Sequence, residues 1–285
     1  MIIGSLEILT AILPNIMKPV KGETTIYEKL QPYMEAAEKW IAETFTSSAI
    51  FDDIAQEEDG NPLKSQVQRL VAYEAYLNAI PAMDLILTPN GFGIVSNQNV
   101  VPASKERIER LLTTITENRD DAITALLHSL VAVNGWTDTE QGKYFASTLF
   151  CDLTIARMIY RKEEYKSNWD WYLYLRNKLL LIENEIAENW ISPELMAALR
   201  AENQSDTLTD YRRFIVETLQ AVEMRCLKVD DSLQQIKLEI QPLRILVNSI
   251  KNSPEDAPEW HNSETAELFN PPIFENKKED KGYWF

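Results

Sequence analysis

The sequence predicts a mainly α-helical protein: a multi-helix bundle with one β-hairpin and an extended C-terminal arm. Glycine is scarce, with 8 among 285 residues, which disfavours sandwiches, barrels and phosphate-binding loops. Apolar residues recur at helical spacing through most of the chain, and this pattern stops after residue 252. We therefore expect a helical domain over residues 1–252, with a hairpin insertion at about 84–96, followed by an arm over 253–285.

Capping residues precede three helical patterns in the first third of the chain. These capping positions are Ser5, Thr25 with Glu28, and Asn61 with Pro62. We expect the first helix to end near Pro14 and the third at Pro81, because proline cannot continue a helix. Pro32 either kinks the second helix or marks its start.

A β-hairpin is predicted where the helical pattern stops. Two apolar runs, residues 85–87 and 92–95, flank Asn90 and Gly91. Asn-Gly favours the positive φ of a tight hairpin turn. A lone two-stranded hairpin is marginal in water, so it must pack on helices or on a neighbouring subunit. Asn90, Gly91 and Phe92 are therefore candidate interface residues.

Helical patterns continue after the hairpin with few interruptions. We expect helices behind a Ser104 cap and resuming at Ala122, from Phe145 to Tyr160, from Trp169 to Trp190, from Ser192 to about Ala201, from Thr207 to Val222, and from Asp231 to Ile250 with a bend at Pro242. The segment from Trp169 to Trp190 is apolar nearly all round. This indicates burial on every side, either in the subunit core or in an assembly interface.

The segment from Ser253 onward has four prolines, many acidic residues and no helical period, a composition typical of disorder. Yet it ends in Tyr283, Trp284 and Phe285. Aromatic residues in such a segment favour docking on a protein surface. The arm either folds back on its own subunit or reaches over a neighbour, and these three aromatic residues are candidate interface residues.

The net charge of -16 argues against tight non-specific binding of DNA or RNA. An acidic protein surface can still surround a nucleic acid and let it pass, because it does not bind the phosphates. The N-terminus lacks a basic region, and no apolar run reaches the length of a membrane span, so we expect a soluble protein made in the cytoplasm. Cys151 and Cys226 lie in apolar patterns and are expected to be small buried residues, with a disulfide left open.

Residues suited to catalysis or metal binding are few. His128 is expected to be a core or boundary residue, and His261 belongs to the predicted arm. The cluster of Glu183, Glu185 and Glu188 is a candidate metal or acid/base set, but only the last two share a helical face, so a solvated surface is favoured. We expect no catalytic, cofactor-binding or metal residue, and hence no enzyme, although carboxylates remain as acids or bases.

The segment LTPNGFGIVSNQNVVPASKERIERLL, residues 87–112, resembles a signature of an uncharacterised family found in Bacteroidetes prophages and in tailed phages, including crAss-like phages. The resembling pieces are residues 87–95 and 102–107. The gene context of that family is similar to that of head–tail connectors, helical adaptors that stack as a ring below the portal. The resemblance implies a structural virion protein with no catalytic residues.

The same resemblance implies the partners and the location. It implies a ring of about twelve copies in the neck of the virion, contacting portal and tail or ring proteins, with DNA passing through without sequence-specific binding. A helical scaffold that binds peptides remains open, although no internal repeat of about 34 to 45 residues is present. A glycan-binding or periplasmic helical protein also remains open, although an export signal and a lipid-attachment cysteine are not seen.

Overall fold

The computed structural model describes residues 1–13, 24–83, 86–88, 91–93, 104–229 and 233–270. The protein is mainly α-helical, as predicted. It separates into two compact units, unit 1 from Met1 to Leu175 and unit 2 from Arg176 to Phe285. This division differs from the predicted one at residue 252.

Unit 1 is built on three long helices. Its elements are α1 (Leu6–Ile12), α2 (Ile26–Ile41), a π-helical turn (Ala42–Thr46), α3 (Ser48–Gln56), α4 (Pro62–Met83), β1 (Ile86–Thr88), β2 (Gly91–Gly93), α5 (Lys105–Leu130), a 3-10 turn (Trp136–Asp138), α6 (Glu140–Phe145) and α7 (Thr154–Met158). Helix α4 packs against both α2 and α5. Its buried positions include Val67, Leu70 and Val71, so the core of this unit lies along α4.

The predicted helix starts follow from local hydrogen bonds. Thr25 and Glu28 form the expected capping box, each side chain accepting from the other's backbone N–H. The Asn61 Oδ1 accepts from the backbone N–H groups of Leu63 and Lys64 at 2.9 and 3.2 Å. The predicted stop at Pro81 was wrong by two residues. Proline removes only its own backbone donor, so α4 finishes its last turn beyond it.

The predicted helix from Phe145 to Tyr160 was wrong. Helix α6 ends at Phe145, and α7 covers only Thr154 to Met158. Between them, the Asp152 Oδ1 accepts from the backbone N–H of Thr154 at 2.7 Å. Side-chain hydrogen bonds of this kind offer the backbone an alternative to the helix, which an apolar spacing pattern does not reveal.

The two strands of unit 1 pair antiparallel, with Ile86 opposite Gly93 and Thr88 opposite Gly91. Within the predicted insertion at about 84–96, only these two strands belong to the part of the chain that the structure describes. Asn90 lies outside the described residues. Gly91 and Phe92 lie in β2.

Unit 2 takes up the chain within a long apolar helix. The remaining elements are α8 (Asn168–Ile186), a π-helical turn (Ala187–Ile191), α9 (Pro193–Gln204), α10 (Asp210–Cys226), α11 (Leu233–Ile240), α12 (Leu243–Lys251), α13 (Pro258–His261) and α14 (Glu264–Phe269). The expected bend at Pro242 is a break, because the chain turns there between α11 and α12. Among the described residues, every helix is too short or too polar to cross a bilayer.

The expectation of an extended arm from residue 253 was wrong for residues 258–269, which form α13 and α14. The Trp260 side chain is fully buried, and its indole N–H donates to the Trp190 carbonyl at 2.9 Å. The Ser263 hydroxyl caps α14 by accepting from the Ala266 N–H. The polar composition of this segment did not reveal that Trp260 and its neighbours Ala257 and Ala266 are buried. Tyr283, Trp284 and Phe285 lie outside the described residues.

Candidate binding groove

An aromatic cluster forms the centre of unit 1. The π-helical turn after α2 places Phe45 in the core, where it is fully buried. Its ring lies 5.1 Å from Trp40 edge-on, 5.2 Å from Trp169 and 5.8 Å from Phe145, onto which it stacks. Each offset or edge-on pair of this kind stabilises the fold by about 0.5–1.5 kcal/mol beyond the contribution of its buried area. The cluster therefore gives the surrounding surface a rigid base.

Helix α6 is fastened to the π-helical turn by long-range hydrogen bonds. The indole N–H of Trp136 donates to the Phe45 carbonyl at 2.7 Å. The Gln141 amide donates to the Glu43 carbonyl at 3.0 Å. The Thr139 hydroxyl donates to the Trp136 carbonyl at 2.6 Å and accepts from the backbone N–H of Gly142, in the first turn of α6, at 3.0 Å. These bonds fix where α6 presents its outward side chains.

A groove of about 450 Å³ lies between α6, the π-helical turn and the start of α8. It is lined by Trp40, Glu43, Thr44, Glu140, Gln141, Tyr144, Trp169 and Leu173. The volume lies within the ordinary range of ligand clefts, about 300–1,000 Å³.

The chemistry of the groove is apolar and acidic. Trp40, Tyr144 and Leu173 supply apolar surface, whereas the carboxylates of Glu43 and Glu140 are exposed. None of the lining residues carries a positive charge. Such a groove suits an apolar or aromatic side chain that lies beside a cation.

A buried charged cluster lies in unit 2, on three successive helices. Glu183 on α8 accepts a hydrogen bond from the Arg200 Nε at 2.7 Å. Glu183 and Glu223 are fully buried, and neither carboxyl oxygen of Glu223 has a hydrogen-bond partner. Burial, together with the Glu183 charge, raises the pKa of Glu223 well above its usual value, and Arg200 opposes this only in part. Burial therefore favours the neutral form of the Glu223 carboxyl.

This cluster corrects the expectation that Glu183 lies on a solvated surface. The predicted burial of this segment on every side was wrong, because Asn177, Leu181 and Asn184 are exposed. Glu183 lies on the side of α8 that is covered. Glu188 is exposed as expected, and Glu185 pairs with Lys237 at 3.4 Å. Within the described part of the chain, no group of three or more His, Cys, Asp or Glu side chains is placed to hold a metal ion.

The histidines also differ from the sequence reading. His128 is largely exposed rather than in the core or at its boundary, and its Nε2 lies 2.5 Å from the Asp152 Oδ2. His261 lies in α13, half-buried, with its Nε2 3.0 Å from the Ile250 carbonyl.

Sequence reasoning missed the groove, and the predicted interface residues do not line it. Gly91 and Phe92 lie in β2, and Asn90 and the three terminal aromatic residues lie outside the described part. One available signal was the pattern of Trp136, Thr139 and Glu140, in which a hydroxyl caps a short helix behind an aromatic residue.

Comparison with known proteins gives one similarity. No curated protein and no solved structure matches the chain. Residues 16–146, just under half of the chain, match the model of a family of unknown function, DUF6712. The matched range holds the aromatic Phe45 and Trp136 and most of the groove lining. Over that range the chain is similar to this family.

Proposed function

We propose that this protein is a structural virion protein, a ring-forming connector that lies between the portal and the tail of a phage and encloses the DNA channel without enzymatic activity. The observation that carries the proposal is an apolar strip on the surface of unit 2. The resemblance of residues 87–112 to the phage-associated signature supports it as well.

The apolar strip consists of Tyr211, Phe214 and Ile245. Phe214 on α10 is 51% exposed and Ile245 on α12 is 80% exposed. Tyr211 connects their two helices, because its ring lies 6.3 Å from Phe214 on α10 and its hydroxyl lies 3.0 Å from the Ser249 hydroxyl on α12, one turn after Ile245. Single exposed apolar residues are common, but contiguous ones mark contact surfaces.

The remaining features fit a connector. Long packed helices make a stiff wall, and a net charge of -16 gives a wall that does not bind DNA tightly. In a ring, each copy contacts the next through two different surfaces, and the rotation closes after a fixed number of copies. The β-hairpin and the terminal Tyr283, Trp284 and Phe285 are the proposed additional contacts with neighbours, portal or tail proteins.

A second candidate is a helical adaptor that binds peptide or glycan partners in a cellular complex. The groove beside Trp40 and Tyr144 favours it, because a preformed apolar site with an acidic rim needs no second subunit to be complete.

The first experiment is light scattering after gel filtration, followed by electron microscopy, with and without a portal protein. Three chains are compared: the natural one, Phe214→Glu with Ile245→Glu, and the control Tyr160→Glu. Tyr160 is 86% exposed and lies in unit 1, so it matches the strip in exposure. We expect rings from the natural chain and the control, and monomers from the strip variant.

The outcomes separate the two candidate functions. A natural chain that stays monomeric even with a portal refutes the connector. If the strip variant still forms rings, the connector proposal is retained, but the apolar strip is not the contact between subunits. Deleting residues 282–285 is expected to weaken assembly without changing helix content, and unchanged assembly would count against a contact by the terminal aromatics.

A further inference from the structure

Two pairs of segments in the chain share a sequence pattern. Residues 41–47, IAETFTS, and residues 186–192, IAENWIS, share Ile-Ala-Glu, an aromatic residue at the fifth position and serine at the seventh. Residues 136–145, WTDTEQGKYF, and residues 260–269, WHNSETAELF, share tryptophan first, a hydroxyl fourth, glutamate fifth and phenylalanine tenth. One member of each pair lies in each unit.

The first pair has the same backbone conformation. Each segment forms a π-helical turn, and such turns are rare. Each turn ends at a serine with positive φ, 78° at Ser47 and 70° at Ser192. Each serine hydroxyl then caps the next helix. Positive φ is uncommon outside glycine, and among the described residues other than glycine only Asp206 shares it with these two serines.

The second pair contacts the first pair in the same way in both units. The Trp136 indole donates to the carbonyl of Phe45, and the Trp260 indole donates to the carbonyl of Trp190, at 2.7 and 2.9 Å. Both carbonyls belong to the fifth residue of the turn segment, which is 41–47 in unit 1 and 186–192 in unit 2, and both indoles belong to the first residue of the helix segment, which is 136–145 or 260–269. In each unit, the hydroxyl of the fourth residue donates to the carbonyl of its own tryptophan at 2.6 Å.

A further contact is kept although the side chains differ. The amide of Gln141 donates to the Glu43 carbonyl at 3.0 Å, and the hydroxyl of Thr265 donates to the Glu188 carbonyl at 3.4 Å. Both donors are sixth in the helix segment, and both acceptors are third in the turn segment. A shared contact between different residue types indicates a shared architecture rather than a chance match of letters.

The correspondence extends to the surface beside the groove. The groove residues Glu43, Glu140 and Tyr144 correspond in the alignment to Glu188, Glu264 and Leu268. All six are exposed, and Leu268 is 66% exposed. Each unit therefore presents two carboxylates and one large apolar side chain in equivalent places.

We propose that the chain is a tandem pair of one helical module, and that Glu188, Glu264 and Leu268 form a second interaction surface that takes the same class of partner as the groove. That partner is a segment with an aromatic side chain beside a lysine, which fits the carboxylates by charge and the apolar residue by burial. This inference rests on contacts that are independent of the connector proposal. An assembly of such chains carries twice as many modules as chains.

The tandem pair is tested by exchanging the helix segment in the full chain. The exchange gives unit 1 the residues of unit 2 at six positions and keeps Trp136, Glu140 and Phe145, which both segments share. It also keeps Gly142, where unit 2 has Ala266, because a Cβ at 142 would clash with the Trp136 backbone. The substitutions are Thr137→His, Asp138→Asn, Thr139→Ser, Gln141→Thr, Lys143→Glu and Tyr144→Leu. The control places the same six new residues at the same positions in permuted order, with no hydroxyl at position 139.

We expect the exchange to shift the unfolding midpoint by less than about 3 °C and the permuted control to lower it by about 6 °C or more. An exchange as damaging as its control would overturn the tandem pair. A harmless control would overturn it too, because the segment would then carry no specific contacts.

The second surface is tested by counting binding sites for a synthetic peptide, acetyl-Lys-Gly-Trp-Lys amide, by calorimetry on the full chain. We expect two sites, one of which is lost in Tyr144→Glu and the other in Leu268→Glu. A single site insensitive to Leu268→Glu, or no binding, would overturn the shared surface. Neither result changes the mass of an assembled ring, so failure here is distinct from failure of the connector proposal.

Discussion

Replacing Gly142 by alanine tests the packing of α6 against the turn before it. A Cβ at this position would lie 2.9 Å from the Thr137 Cα and from the Trp136 carbonyl carbon, and still closer to the Trp136 carbonyl oxygen. Ordinary contacts to a Cβ begin at about 3.4 Å, so the backbone must move by about 0.5 Å or more. Every atom in the way belongs to the backbone, so no side chain can rotate aside.

Two effects of opposite sign compete in this variant. Alanine in a helix is favoured over glycine by about 1 kcal/mol. Forcing extra volume into a packed site costs typically about 1–3 kcal/mol, and more when the backbone must move. The same movement strains the bond from the buried Trp136 indole to Phe45. We therefore expect Gly142→Ala to lower the free energy of unfolding by about 1–2 kcal/mol.

The assay is chemical denaturation, with hydrogen exchange of the α6 amides as a local readout. Gly4→Ala is the matched control, because nothing lies within 4 Å of a Cβ there and its φ is not positive. We expect that control to change stability by less than about 0.5 kcal/mol. A Gly142→Ala protein at least as stable as the natural one would refute the packing argument, since propensity alone predicts that gain.

Three further predictions concern charge and the indole contacts. Because the pKa of Glu223 is raised in the folded state, the free energy of unfolding falls as the pH rises above the unfolded pKa near 4.5. The loss is about 1.4 kcal/mol for each pH unit in which only the folded state keeps the proton. Glu223→Gln should flatten this pH dependence in thermal melts from pH 5 to 9. Arg212→Met should lower the free energy of unfolding by about 2–3 kcal/mol in urea melts, because it leaves acidic partners that include Glu259 without their cation. Burial raises the pKa of Glu259, but the hydrogen bonds from Arg212 lower it by more, so the net shift is downward. The natural chain should therefore lose stability as the pH falls below about 4.5, and the variant should lose less. Trp136→Phe and Trp260→Phe should each cost about 1–3 kcal/mol, and hydrogen exchange should increase only in the unit that carries the change; equal increases in both units would contradict separate contacts.

The sequence predicted the starts of α1, α2 and α4 because their capping signals are local, whereas the predicted Ser104 cap makes no side-chain hydrogen bond. The capping box of Thr25 and the Asn61 cap each involve atoms within three residues. The apolar period then gave most helix bodies. Helix ends were predicted less accurately, as at Pro81. Proline disfavours a helix locally, but packing decides how many residues the helix continues beyond it.

The candidate sites depend on contacts that no local pattern contains. Trp136 and Phe45 are 91 positions apart, and their bond fixes one wall of the groove. The buried cluster joins Glu183, Arg200 and Glu223 from three helices, and the packing of these helices buries an acidic residue on both α8 and α10. Sequence spacing showed which positions share a helical face, but not which faces meet.

The two cysteines of the chain differ in a way that has a practical use. Burial raises the pKa of the Cys226 thiol to about 11, and its side chain is 1% exposed. Thiol reagents attack the thiolate, so Cys226 resists them near neutral pH. Cys151 is half-buried and is not in a disulfide. One maleimide dye per chain can therefore be attached at Cys151 without engineering, and stepwise photobleaching of single particles would count the copies in an assembly directly.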